Sequence, residues 1–324
     1  GSLGSTATVS QADNVFTITP STDTANVGEF SITFSVTDGA TGVVSTVSAF
    51  TLSFGWTVDI SQISYDSVQL DVSGQLVNAR DVCFSADGTK MYTICTLFDA
   101  VFQYTLSTGF NLSTASYDNV SFTFTGGVSN PHGIAFNTDG TKMYVVDRGA
   151  GAVLQYSLTT GFDVSTASYD SVSFSVDSQS LYNIDLSFST DGTKMYLVNM
   201  FSPSEIFQYD LSTGFDLSTA SYNSVSYSLT DQTSQPSALT LSPNGTKMYV
   251  MYQGSGTTTG VIRSYSLFTA FDISTASYDN ASISLGTLVA TPGYPMGMHF
   301  SSDGTKMFIL FENSEYVYQY STGL

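Results

Sequence analysis

The chain has 324 residues, 42% of them hydrophobic and only 11% charged, and its 8 Lys+Arg against 27 Asp+Glu give a formal net charge of −19. A body this acidic repels phosphate backbones, which excludes nucleic-acid binding, and neither a long apolar run nor a basic amphipathic stretch exists for membrane insertion. Two cysteines (Cys83 and Cys95) are too few for a disulfide framework or a cysteine-built zinc site, and two histidines (His132 and His299) starve His-rich chemistry, so no metal and no cofactor is expected.

Gly1-Ser2-Leu3-Gly4-Ser5 has neither the charged nor the apolar region of a signal peptide. Within the N-terminal segment 1–53, residues 6–53 lack the later repeat and alternate in strand fashion, with strands expected at Val15–Thr19 and Phe30–Val36 and a turn at Asp38-Gly39. From Trp56 onward a repeat governs the chain. Asp-Gly-Thr-Lys-Met-Tyr starts at Asp87, Asp139 and Asp191, with variants from Asn244 and Asp303, so the spacings are 52, 52, 53 and 59 residues. All five lysines (Lys90, Lys142, Lys194, Lys247 and Lys306) occupy the same place in this unit. A second string of the type Gly-Phe-Asp-Leu-Ser-Thr-Ala-Ser-Tyr-Asp follows at Phe110, Phe162, Phe215 and Phe271.

Each unit reads as four short strands, in the second unit Gly133–Phe136, Lys142–Asp147, Ala152–Leu158 and Ser171–Val176, with an Asp-Gly hairpin of type I′ or bulged form between the first two. Four antiparallel strands per unit of about 50 residues is the pattern of a β-propeller blade; a β-solenoid or a string of small domains is the alternative. A further outer-strand string, Ser64-Tyr65-Asp66-Ser67-Val68, precedes the first unit, and the last unit stops at Leu324 before its own. Five heads and five tails offset by one predict an all-β, five-bladed β-propeller over residues 54–324, closed by strand exchange between residues 64–72 and the strand near Tyr316–Tyr320, with no open sheet edge.

The stretch from Pro131-His132-Gly133-Ile134-Ala135-Phe136 through Asp139-Gly140-Thr141-Lys142-Met143-Tyr144-Val145-Val146-Asp147 resembles the NHL and YVTN β-propeller repeats. Near-identical copies of this kind are similar to propellers in bacterial surface proteins and in structural proteins of marine bacteriophages. Residues 34–54 resemble the closing strands of an Ig-like or cadherin-like module; no calcium ligands carry over.

Between the units the Asp-Gly turns and the Gly-Phe-Asp links barely change, whereas the loops on the opposite face vary. Specialisation is therefore expected on the variable face, at the channel mouth. Superposing the units gathers Arg80, Asp81, His132, Asp147, Arg148, Asp185, Asn199 and Tyr252 there as candidate ligand-binding residues. Such a set suits hydrogen bonds to sugar hydroxyls beneath an aromatic face. Asp81, Asp147 and Asp185 also invite a glycosidase reading, which requires two carboxylates at a defined separation. The Asp-Gly-Thr-Lys turns lack the ligand density of a calcium loop. Cys83 should face Tyr92 and Cys95 should face Arg80, an offset beyond disulfide reach, giving two buried thiols. The function expected from these features is a non-enzymatic structural or adhesive module of a virion or cell surface, extracellular, whose partners are a host glycan or protein and neighbouring subunits. A glycoside hydrolase and a ligand-free scaffold are the alternatives.

Overall fold

The computed structural model describes residues 7–12, 15–20, 28–32, 35–37, 44–46 and 50–54 by backbone alone, and residues 56–324 apart from 126, 181, 230–234, 255–259 and 289–292. The chain divides into two compact units, Gly1–Trp56 and Thr57–Leu324. In the first, Ala7–Ala12 pairs with Val15–Pro20, Gly28–Ile32 with Phe50–Phe54, and Ser35–Thr37 with Val44–Thr46, all antiparallel. Among the described residues these form three separate two-stranded pairs rather than the continuous sheets of a sandwich. The expected Asp38-Gly39 turn lies outside the described residues.

The second unit holds five four-stranded antiparallel sheets arranged as a β-propeller. Its second blade, which stands for all five, comprises Pro131–Phe136, Lys142–Asp147, Ala152–Leu158 and Ala167–Ser175. The fifth is Tyr294–Phe300, Lys306–Glu312 and Tyr316–Ser321 completed by Ser64–Asp71, with Tyr316 opposite Asp71 and Tyr320 opposite Tyr65. The strand exchange expected from the offset of heads and tails is thus the observed seam, and Lys306 Nζ locks it on Asp66 at 2.6 Å.

Burial follows position in the blade. Lys142–Asp147 is buried after its first residue, because both faces of a second strand are covered by neighbouring blades, whereas Ala167–Ser175 alternates at the solvent edge. The repeated Met-Tyr pair follows from period-two geometry: the two side chains leave opposite faces, so Tyr92 shares a core with Met143, Tyr144 with Met195, and Tyr196 with Met248. The invariant Tyr of the outer strand packs within its own blade, Tyr169 on Tyr156 at 5.4 Å.

The outer strands begin at Ala167 and its equivalents rather than at Ser171. A bulge is the reason: Gln155 pairs with Val172 and Tyr156 with Tyr169, leaving Asp170 and Ser171 unpaired, with Ser171 at φ 59°. The bulge turns Asp170 toward Lys142 Nζ (2.7 Å) and Gln155 Nε2 (2.8 Å). Only the glycine of each Asp-Gly turn has positive φ, +71° at Gly140, so the turns are the bulged form and not type I′. A Cβ there would also meet the Phe162 ring at 2.4 Å.

Two hydrogen bonds recur across the joints between blades. Gln155 Oε1 accepts from Leu217 N of the next blade at 2.9 Å, and the Tyr196 hydroxyl donates to Phe271 O at 2.6 Å. Gln103, Gln208 and Gln319, and Tyr92 and Tyr144, do the same at their joints. Ser264 replaces the glutamine in the fourth blade and Phe308 the tyrosine in the fifth, so each joint flanking the fifth blade lacks one of the two bonds.

Candidate active site

The ring position occupied by Asp81 in the first innermost strand is Gly133, Asp185, Ala238 and Gly297 in the other four. Asp81 is 5% and Asp185 6% exposed. Asp81 Oδ1 accepts from its own Val82 N at 2.7 Å and Oδ2 from Ile134 N of the second blade at 2.9 Å. Asp185 repeats this with Leu186 N and, in the fourth blade, Leu239 N, both at 2.7 Å. The glycines make room for the aspartates: a Cβ on Gly297 would lie 2.6 Å from Asp81 Oδ1, and one on Gly133 would lie 2.8 Å from Asp185 Cα.

Burial pushes the carboxyl pKa of both aspartates up, and the charge of Asp185 raises that of Asp81 further. Desolvation thus disfavours the ionised form of both carboxyls. Together they sit on a channel cavity of about 300 Å³ reached by all five innermost strands. Cys83, Ser187 and His299, two residues beyond the Asp81, Asp185 and Gly297 positions, also line it. Desolvation lowers the His299 pKa to about 4, so the imidazole is neutral at pH 7.

The cavity is rimmed by Ala86, Thr138 and Thr190, residues of the Asp-Gly turns. It therefore lies at the end of the channel beneath the invariant turns, opposite the variable face. Of the eight residues nominated from sequence, only Asp81 and Asp185 line it. Arg80 pairs with Glu312 at 2.9 Å, and Arg148 lies over the Tyr182 ring at 4.9 Å. Asp147 is fully buried and organises its loop by accepting from Ser129, Asn130 and Gly149 N. Asn199 donates to Phe201 O and Pro203 O. His132 is 3% exposed, bonded through Nδ1 to Asn130 O, and its pKa falls to about 4 chiefly through burial. Tyr252 is fully buried, its hydroxyl 2.7 Å from that of Tyr265. The mouth residues are mostly engaged in holding their own loops.

Both cysteines are buried and unlinked. Cys83 faces Tyr92, but Cys95 faces Ala79 rather than Arg80, because a register shift between Ala79 and Asp81 takes Arg80 out of the pairing. Sequence reasoning passed over Ser187, Thr240 and His299 as site residues. The signal was the strand period itself, since they stand two residues past the aspartate position in their blades.

The propeller channel thus carries two desolvated carboxyls, Asp81 and Asp185, on one cavity. The family model "Lactonase, 7-bladed beta-propeller" matches residues 127–323, and the chain belongs to that family. Its own ring has five blades, because Ser64–Asp71 closes on Tyr316–Ser321. Among solved structures, a candidate 6-phosphogluconolactonase from Bacteroides uniformis is 13% identical, with 91% of this chain and 76% of that one covered, at a TM-score of 0.43. A second, from Bacteroides fragilis, is 16% identical over 78% of this chain and 65% of that one, just under two thirds of its length, at 0.40. A Lactobacillus plantarum protein is 14% identical over 97% of this chain and 76% of that one, at 0.45. No curated protein matches. Membership of a lactonase family overturns the expectation of a non-enzymatic structural or adhesive module on a virion or cell surface. Specialisation had been expected on the variable face, whereas the cavity lies beneath the invariant turns.

Proposed function

We propose that this chain hydrolyses lactones in the channel cavity, with Asp81 and Asp185 as the acid–base pair. The ionised carboxylate takes a proton from water as its oxygen bonds to the acyl carbon. The protonated partner gives its proton to the ring oxygen as the acyl C–O bond breaks. A lactone and a water become a hydroxy acid, and the pair keeps its total of one proton with the two roles exchanged. Neutral His299 is a third polar group on the same cavity. One observation carries the reading: in a chain of the lactonase family, two buried carboxyls, Asp81 and Asp185, line the same channel cavity. The likeness of residues 131–147 to NHL and YVTN repeats is, in this reading, a likeness of propeller blades in general.

The test is the disappearance of glucono-1,5-lactone and of 6-phosphoglucono-1,5-lactone above their spontaneous hydrolysis, for the unaltered chain and for Asp185→Asn and Asp81→Asn. Loss of an acid or base should cost roughly 100-fold or more in kcat. Hydrolysis equal to background with every lactone would defeat the proposal, as would full activity in both variants.

A further inference from the structure

Resting on the lactonase reading, we infer that the channel selects uncharged, hydroxylated lactones and disfavours phosphorylated or otherwise anionic ones. A phosphate needs Arg, Lys or a helix N-terminus to replace its hydration. No Lys or Arg lines the cavity among the described residues. The eight cationic side chains are all placed elsewhere. Four lysines are held on outer-strand carboxylates (Asp66, Asp118, Asp170 and Asp279), Lys194 on Asp210 of the neighbouring third strand, and Arg80 is paired with Glu312. Arg148 and Arg263 lie over the rings of Tyr182 and Tyr252.

The charges that do surround the cavity are negative. Ala86, Thr138 and Thr190 on its rim are each followed by a turn aspartate, Asp87, Asp139 and Asp191. Hydrogen bonds from Ser and Thr neighbours hold all three pKa values below the usual carboxylate value, so they remain ionised. An anionic substrate must enter this field without a counter-charge.

What the walls offer instead suits a neutral polyol. Ser187 and Thr240, whose hydroxyls can each donate and accept, line the cavity. The tilted ring pairs Phe136–Phe162 (5.7 Å) and Phe188–Phe215 (5.5 Å) contribute apolar surface beside them.

The experiment compares kcat/KM for glucono-1,5-lactone with that for its 6-phosphate, in the unaltered chain and in Ala86→Lys and Thr138→Lys. Both substitutions fall at exposed turn positions and leave the buried packing intact. The neutral lactone should be preferred by roughly tenfold or more, as expected for an uncompensated charge several ångströms from another. Each lysine should raise the ratio of phosphorylated to neutral turnover. Equal or better turnover of the phosphate ester by the unaltered chain overturns the selectivity and leaves the lactonase reading standing. Turnover of neither removes that reading and the inference with it.

Discussion

Phe308→Tyr should stabilise the ring. In four blades the tyrosine of the Met-Tyr pair reaches the next blade through its hydroxyl. Tyr196 donates to Phe271 O at 2.6 Å, Tyr92 and Tyr144 donate to the matching carbonyls of Phe162 and Phe215, and Tyr249 accepts from Val58 N at 2.6 Å. The fifth blade has Phe308, fully buried like those tyrosines and with its ring centroid 6.2 Å from that of Phe110, the equivalent of Phe162. A hydroxyl added there meets the same geometry that four sister joints already accommodate. The net gain for one such hydrogen bond is about 1 kcal/mol, or roughly 2–4 °C in Tm for a domain of this size. Urea unfolding is the assay, with the midpoint rising at constant m. The converse change, Tyr144→Phe, should lose about as much by leaving the Phe215 carbonyl unpaired. A Phe308→Tyr variant that loses stability, together with a Tyr144→Phe variant that loses none, would show that these hydroxyls do not hold the joints.

Gly297→Ala should be costly, because its Cβ would lie 2.6 Å from Val82 N, a backbone atom that no rotamer change can move aside. A loss of roughly 3 kcal/mol in thermal or urea unfolding is expected, and unchanged stability would contradict the glycine–aspartate fit. Stability should also fall as the solution is acidified through the range from 6.5 to about 4. The unfolded chain takes up a proton on His132 at its ordinary pKa of 6.5 while the folded chain resists until about 4. The full effect, reached below pH 4, is on the order of 3 kcal/mol, and His132→Phe should flatten that part of the pH–stability curve. The aspartate pair works in the opposite direction. Its raised pKa values mean that the folded chain binds more protons, so its contribution to stability declines as pH rises above the ordinary carboxylate pKa. Asp81→Asn should reduce that decline.

The ring and its seam were legible because the repeat carries them: four Asp-Gly turns and one Asn-Gly turn count the blades, and Ser64-Tyr65-Asp66 standing ahead of the first turn specifies what closes the last. The early start of the outer strands was hidden, since a bulge at Asp170-Ser171 restores pairing on both sides of residues that read as a break. Asp81 and Asp185 were legible as carboxylates at one ring position. Their setting was not, because a search for variation favoured the variable loops. The innermost strands vary as well, from Asp81 to Gly133 to Asp185 and from Cys83 to Ser187 to His299, and those alternate residues define the cavity beneath the invariant turns. Arg80, Asp147 and Asn199 looked like ligand-binding groups because sequence cannot show that Glu312 and nearby backbone groups already engage them. The class of chemistry was not legible either, since no local string in the repeat distinguishes a lactonase propeller from any other.

The most direct measurement is the pH dependence of kcat/KM for lactone hydrolysis above the spontaneous rate, in the unaltered chain and in Asp185→Asn. A pair that works with one proton predicts a profile falling on both sides, toward acid as the second carboxyl is protonated and toward base as the last proton leaves, and collapse of catalysis in the variant. A profile without those two limbs, or an Asp185→Asn chain as active as the original, would contradict it.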